Sequence, residues 1–329
     1  MSLPGVTGAR QDAGAATGIR VLRHVAIVLR CFVAAALLVP PAAAASCPGN
    51  PGAISTSRVL VAPADAFPKV GSQQYGRAGM LPLEEREIVL TFDDGPLPPY
   101  TDSVLRTLAA ECAKATFFLV GRQASANPGL VRQIAASGHV VGSHSQNHPL
   151  TFDQMAQERS EAEINDGIAA VSAALGDPRH LAPYFRIPGL LRLRPIEDYL
   201  AARRIAVWSV DFDADDWKNI SADEVVKRAL ERIEQKKRGV LLLHDVQPAT
   251  ALALPILLQK LKERGYRIVH VVPAKPVAAK PAAPAPPRRI AAPTPPPQYA
   301  WPRMLPPRLD GRRGVPPRAD NRRGPTIYR

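Results

Sequence analysis

Asp93 and Asp94 stand side by side between an apolar run, Ile88-Val89-Leu90, and the turn-forming pair Gly95-Pro96. Neighbouring side chains of a strand point to opposite faces, so the two carboxylates can share a site only where the strand ends and the chain bends. Adjacent carboxylates repel unless a cation or a shared proton intervenes, which points to a metal or to a base in need of one. A solvated turn is the alternative, because Asp-Gly-Pro is ordinary turn chemistry. His144 and His148, four residues apart, could face one ion from a single helical turn. With a carboxylate at an equivalent strand end they form a candidate Asp/His/His site with open positions for water.

Further polar residues close other apolar runs. Arg186 follows Phe185 and could hold a carboxylate such as Asp93. Asp211, Asp213, Asp215 and Asp216 crowd the segment before Trp217, where a solvated acidic loop is the alternative. His244 ends Leu241-Leu242-Leu243. Taken alone, a histidine there is more often structural than catalytic.

These residues need strands to aim them. Seven short apolar runs (88–92, 115–120, 139–142, 185–187, 205–210, 239–243 and 266–271) alternate with six helix-like stretches, from Thr101–Cys112 to Leu252–Arg264. Apolar runs without polar alternation are typical of strands buried on both faces. Their alternation with helices predicts an α/β fold with a parallel sheet, closed as a barrel or open and doubly wound. In either case the C-terminal strand ends, and the polar residues they carry, converge on one face.

Five ordered motifs carry a resemblance. Thr91–Pro96 (TFDDGP), His144–His148 (HSQNH), Arg186–Gly189 (RIPG), Asp213–Trp217 (DADDW) and Leu241–Asp245 (LLLHD) resemble those of the polysaccharide deacetylase, or NodB-like, family, carbohydrate esterase family 4. The resemblance covers Glu87 to Val272. It implies a distorted (β/α) barrel of about seven parallel strands and removal of acetyl groups from polysaccharides. It further implies Asp93 as general base, Arg186 as its orienting partner, and Asp94, His144 and His148 as ligands of a divalent metal. His244 becomes the general acid, tuned by Asp216, while Trp217 and Leu242 shape the wall around the acetyl methyl. Zinc suits such ligands, as do cobalt and nickel. In two places the chain departs from the pattern. Gly189 stands where the third motif carries an aromatic, which opens that wall of the groove. Extra aspartates precede the fourth motif, so Asp213 is the runner-up to Asp216.

The implied chemistry is coherent. A divalent ion could acidify water and polarise an acetamide carbonyl. Asp93 would take the water's proton, backbone N–H groups near Gly189 would help hold the oxyanion, and His244 would protonate the departing amine. The expected substrate is an N-acetylglucosamine-containing polymer or oligomer, such as a chitooligosaccharide or peptidoglycan. The alternatives are an inactive carbohydrate-binding envelope protein on the same fold, or an amidohydrolase acting on a non-sugar amide.

The 329 residues carry a net charge of +13, but it is not spread evenly. Of 42 basic and 29 acidic residues, the segments 1–46 and 273–329 take 16 and 3, leaving 26 of each in 47–272. The body is neutral, so no nucleic-acid partner is expected. Residues 1–46 read as an export signal, with Arg20 and Arg23 before an apolar stretch that ends at Pro40-Pro41 and four alanines. An uncleaved membrane anchor is the alternative; a periplasmic or secreted monomer is expected. Cys47 and Cys112 form an even pair, which in an exported protein suits a disulfide; two buried thiols are the alternative. Residues 47–86, rich in scattered prolines, read as an irregular lead-in, and 87–272 as the catalytic domain. Residues 273–329 hold 16 of the 35 prolines and read as a disordered basic tail suited to anionic envelope surfaces.

Truncation after Pro273 is expected to leave turnover of a small oligomer nearly unchanged and to weaken salt-sensitive binding to envelope material. Unfolding on truncation would instead place the tail in the core.

Overall fold

Ile88, Leu90 and Phe92 of strand β3 (Glu87–Asp93) pack into one apolar cluster with helix residues such as Val104, Leu108 and Leu254, while Val89 joins a second cluster inside the sheet's curl. The same division recurs on β4 (Thr116–Leu119), where Phe117 and Leu119 oppose Phe118, and on β9 (Gly239–His244), where Leu241 and Leu243 oppose Val240. Burial on both faces explains why these runs lack polar alternation. The structure, a computed structural model, describes residues 47–274.

Among the described residues ten strands form one sheet in which every pairing is parallel. Completing the set are β1 (Thr56–Val61), β2 (Lys69–Val70), β5 (Val140–Ser143), β6 (Leu181–Phe185), β7 (Ala206–Trp208), β8 (Phe212–Asp213) and β10 (Arg267–Val272). The order β8-β9-β3-β4-β5-β6-β7-β2 is joined at the start of β3 by β10, which carries β1 on its far side. Among the described residues no pairing links β8 to β7 or β2, so the curled sheet is a distorted (β/α) barrel left open there. Among the described residues eight α-helices accompany it: α1 (Ser72–Tyr75), α2 (Tyr100–Ala110), α3 (Gly121–Ala126), α4 (Pro128–Ala136), α5 (Gln157–Leu175), α6 (Arg194–Ala202), α7 (Ala222–Lys236) and α8 (Pro248–Glu263). None is long and apolar enough to cross a membrane.

All seven expected runs meet strands, with one shift. The run expected at 185–187 is the end of a strand that begins at Leu181; exposed Pro183, which donates no backbone hydrogen bond, interrupts its apolar signature. The lead-in is not wholly irregular. β1 lies along β10 as an edge strand, and its exposed Val59 and Val61 alternate with half-buried residues, which hides it from a search for continuous apolar runs. β2 has only two residues and depends on β7 for its pairing. The export signal, and the tail beyond residue 274, lie outside the described residues.

The lead-in is also tied covalently. Cys47 and Cys112 are disulfide-bonded, with Cα atoms 5.6 Å apart and a separation of 65 positions in sequence. Around this link the Ser55 and Thr56 amides donate to the carbonyls of Glu111 and Cys112, and the Asn50 amide donates to the Ala110 carbonyl. A loop of this length restricts the unfolded chain enough to contribute about 4 kcal/mol. Paired Cys47→Ser and Cys112→Ser substitutions should lower the urea-unfolding free energy by roughly that amount. A change below about 1 kcal/mol would show that the bridge constrains a chain already held by β1.

Candidate functional site

Asp93 is the last residue of β3, and Asp94 turns off the strand with φ = 74°. That left-handed conformation, which Asp tolerates better than most residues, supplies the bend that two neighbouring carboxylates need to face one site. Parallel pairing puts Asp93 in register with His244 at the end of β9. His144 follows β5 directly, and Arg186 follows β6. The four motifs therefore meet at the C-terminal rim of the barrel.

Arg186 is fully buried. Its Nη1 donates to Asp93 Oδ1 at 2.5 Å and to Thr91 Oγ1 at 3.0 Å, and its Nη2 donates to the Ser209 carbonyl at 3.1 Å. Its guanidinium lies 4.2 Å from the centre of the Phe118 ring. Burial pushes the Asp93 carboxyl up to about 6, and the Arg186 charge beside it holds it from going higher. Asp93 is thus poised close to neutrality, where a base can be both ionised and able to take a proton.

His144, also buried, has its Nδ1 2.7 Å from the Arg186 carbonyl. A carbonyl only accepts, so Nδ1 carries the proton and the Nε2 lone pair is free. That Nε2 lies 3.6 Å from Asp94 Oδ1, and His148 Nε2 lies 3.3 Å from the same oxygen. Asp94 Oδ1 is buried and takes no hydrogen bond. One orphaned carboxylate oxygen and two imidazole nitrogens, all within 4.8 Å of one another, fit a divalent cation such as zinc.

The two histidines do not share a helical turn. Residues 144–149 are a loop, with Ser145 and His148 at positive φ (65° and 57°), and the four-residue spacing works because this loop doubles back. Asn147 fastens it through its amide groups to the Glu163 carboxylate on α5, and the His148 N–H donates to Ser145 Oγ. On α5, Gly167 lets the loop backbone come close: a Cβ there would stand 2.4 Å from the Ser145 carbonyl carbon.

The four aspartates before Trp217 separate by partner. Asp216, fully buried, accepts from the His244 Nδ1 at 2.9 Å and from the His244 backbone N–H and Thr250 Oγ1, each at 2.6 Å. Asp211 accepts from the backbone of Ser72 and Val240. Asp213 and Asp215 pair with Arg232, and Asp215 also with Arg228 and Lys218. Burial alone would lower the His244 imidazole, but the Asp216 charge and hydrogen bond, helped by Asp94 and Asp93, overcome it and raise it to about 10.

Leu242 points along the same strand face as Val240 in the barrel interior and His244 at the mouth. Trp217 is 57% exposed, with the Lys218 ammonium over its ring. Gly189 is exposed in a short turn after Arg186, at φ = 66°. Two supporting residues are given no role by the sequence alone. Thr250 shares Asp216 with His244, and buried Asp245, next to His244, is bonded by Thr101 Oγ1 at 2.5 Å while it lies against Gly95 of the Asp93-Asp94 turn. An acid directly after a strand-end histidine is the clue to Asp245; Thr250 gave none.

A family model described as polysaccharide deacetylase matches residues 81–205. The chain is 33% identical over 227 residues to a peptidoglycan-N-acetylglucosamine deacetylase of Listeria monocytogenes, a match covering 67% of this chain and 47% of the relative. It therefore spans about half of that relative's length. A peptidoglycan-N-acetylglucosamine deacetylase of Bacillus cereus is 34% identical over 200 residues, covering 58% of this chain and 89% of the relative. The solved peptidoglycan deacetylase of Bdellovibrio bacteriovorus superposes with a TM-score of 0.60 at 31% identity, over 68% of this chain and 60% of that one.

The geometry makes one test of the acid direct. If His244 is the general acid that the resemblance implies, it must be protonated when a leaving group departs, and activity should fall as the pH rises through its pKa. Asp216→Asn removes the charge that raises this pKa, and should move the alkaline limb of the pH–rate profile to lower pH. A cation on the neighbouring ligands would lower the starting value without changing that direction. Asp211→Asn and Asp215→Asn, which face other partners, should leave the limb in place. An unmoved limb in Asp216→Asn would remove His244 from the role of acid.

Proposed function

This chain belongs to the polysaccharide deacetylase family, and we propose that it is a metal-dependent hydrolase removing N-acetyl groups from an N-acetylglucosamine-containing polymer. The observation that carries the reading is the shared rim site. A buried, arginine-anchored carboxylate (Asp93) and a carboxylate-backed imidazole (His244) stand in strand register, with an Asp/His/His cluster beside them. A base, an acid and a cation site at one strand end are what hydrolysis of an unreactive acetamide requires.

Asp94, His144 and His148 would hold the cation, which when bound supplies a Lewis acid that polarises the acetyl carbonyl and makes water more acidic. Asp93 takes the proton of the attacking water at Oδ2, since its Oδ1 is held by Arg186. Arg186 keeps that carboxylate oriented without competing for the proton. His244 delivers a proton from Nε2 to the departing nitrogen, while Asp216 holds Nδ1–H and stabilises the imidazolium. Leu242 and the exposed Trp217 supply apolar surface for the acetyl methyl and the sugar. Peptidoglycan is the favoured polymer, on the strength of the relatives' substrates, with chitooligosaccharides as the soluble equivalent. An exported location is part of the proposal, supported by the leader pattern and by the Cys47–Cys112 bridge.

Chelated, metal-free protein should release no acetate from an N-acetylglucosamine tetramer, and zinc should restore release. Full activity in the metal-free sample would end the metal-dependent reading. Hydrolysis of simple non-sugar amides in preference to the tetramer would favour an amidohydrolase instead.

A further inference from the structure

We propose that Gln74, in the lead-in segment ahead of the residues matched by the family model, is a positioning residue that clamps one wall of the substrate groove to the anchor of Arg186. The proposal rests on the deacetylase reading and on the turn at Gly189 as part of that wall. Gly189 and Leu190 both have left-handed backbones, at φ = 66° and 54°. Leucine is strained there, so the turn needs support from outside itself. Gln74 provides it: its Nε2 donates to the Leu190 carbonyl at 2.9 Å. Its Oε1 accepts from Ser209 Oγ, and the carbonyl of Ser209 receives the Arg186 Nη2. One amide thus links the wall to the residue that anchors the partner of the base. The Gln74 amide carries a donor and an acceptor side by side, and here it uses both, one toward the Leu190 carbonyl and one toward the Ser209 hydroxyl.

Gln74 is itself held firmly. β2 pairs with β7, and the Gln73 N–H donates to the Val210 carbonyl at 2.9 Å. Gly71, at φ = 99°, packs so close to Val210 that a Cβ would lie 2.3 Å from its nitrogen. Arg192 donates to the Gln74 carbonyl through Nη1 at 2.9 Å and pairs with Glu197 through Nε, and Glu197 also binds Lys69 at 2.5 Å. The lead-in is therefore a rigid support, with the Gln74 amide at its working end.

Gln74→Met keeps the volume and removes both hydrogen bonds, while Gln74→Glu keeps the acceptor and loses the donor to Leu190. Hydrogen exchange of the 187–193 peptide should speed up about fivefold in both variants, with peptides from β3 and β9 unchanged. For an N-acetylglucosamine tetramer, KM should rise about tenfold with kcat changed less than about threefold, the signature of lost substrate positioning rather than lost chemistry. Unchanged exchange at 187–193 overturns the proposal, and so does a loosened wall with an unchanged KM. Wild-type protein that releases no acetate would sink the activity reading instead, and the exchange comparison, which needs no turnover, would still decide whether the clamp exists.

Discussion

The buried pair of Arg186 and Asp93 is the constraint on which the site depends. Both charges are buried, and desolvation of each is offset by the other; the oxygens of Thr91, Trp208 and Ser209 and the Phe118 ring further support Arg186, and the His244 charge supports Asp93. The fold gives up some stability for this arrangement. A carboxyl raised to about 6 contributes stability that is fully present below its unfolded pKa near 4 and is lost as the pH rises through 6. At neutral pH the ionised Asp93 is therefore an expense to folding, one that the proposed role as general base would account for. Deleting Arg186 would leave an unpaired buried charge, a loss on the order of 3–5 kcal/mol.

The remaining parts can be traced outward from that pair. Arg186 contacts four elements: the end of β3, the Phe118 ring on β4, the residues after β7, and the loop carrying His144, whose Nδ1–H it accepts through its own carbonyl. The same residue thereby orients Asp93, the proposed base, and fixes the tautomer of a candidate metal ligand. His244 is set separately, by Asp216 and Thr250, and reaches Asp93 through strand register. Both titratable groups are raised, but for opposite reasons: the Asp93 carboxyl by burial, and the His244 imidazole against burial by a neighbouring charge.

Much of this was legible in the sequence because parallel strands make strand ends converge. Once the apolar runs around Leu90, Val141, Phe185 and Leu243 are read as strands, their following residues belong to one face. The choice of Asp216 over its three neighbours also matches the hydrogen bonds, since only Asp216 reaches His244. What escaped lay in structure without periodicity. The turn that brings His148 back toward His144 uses two left-handed residues, and no spacing rule distinguishes it from a helical turn. β1 and β2 are short or half-exposed and owe their strand state to partners far away in sequence. Gln74 and Thr250 act through hydrogen bonds to residues more than thirty positions away, which a linear motif does not record.

The central claim is that two adjacent carboxylates do different work: Asp94 holds the cation and Asp93 handles the proton. Zinc content after equilibrium dialysis, measured alongside acetate release for Asp93→Asn and Asp94→Asn, tests it most directly. The account predicts that Asp93→Asn keeps its zinc and loses turnover, whereas Asp94→Asn loses both. Zinc lost from Asp93→Asn but retained by Asp94→Asn would contradict it.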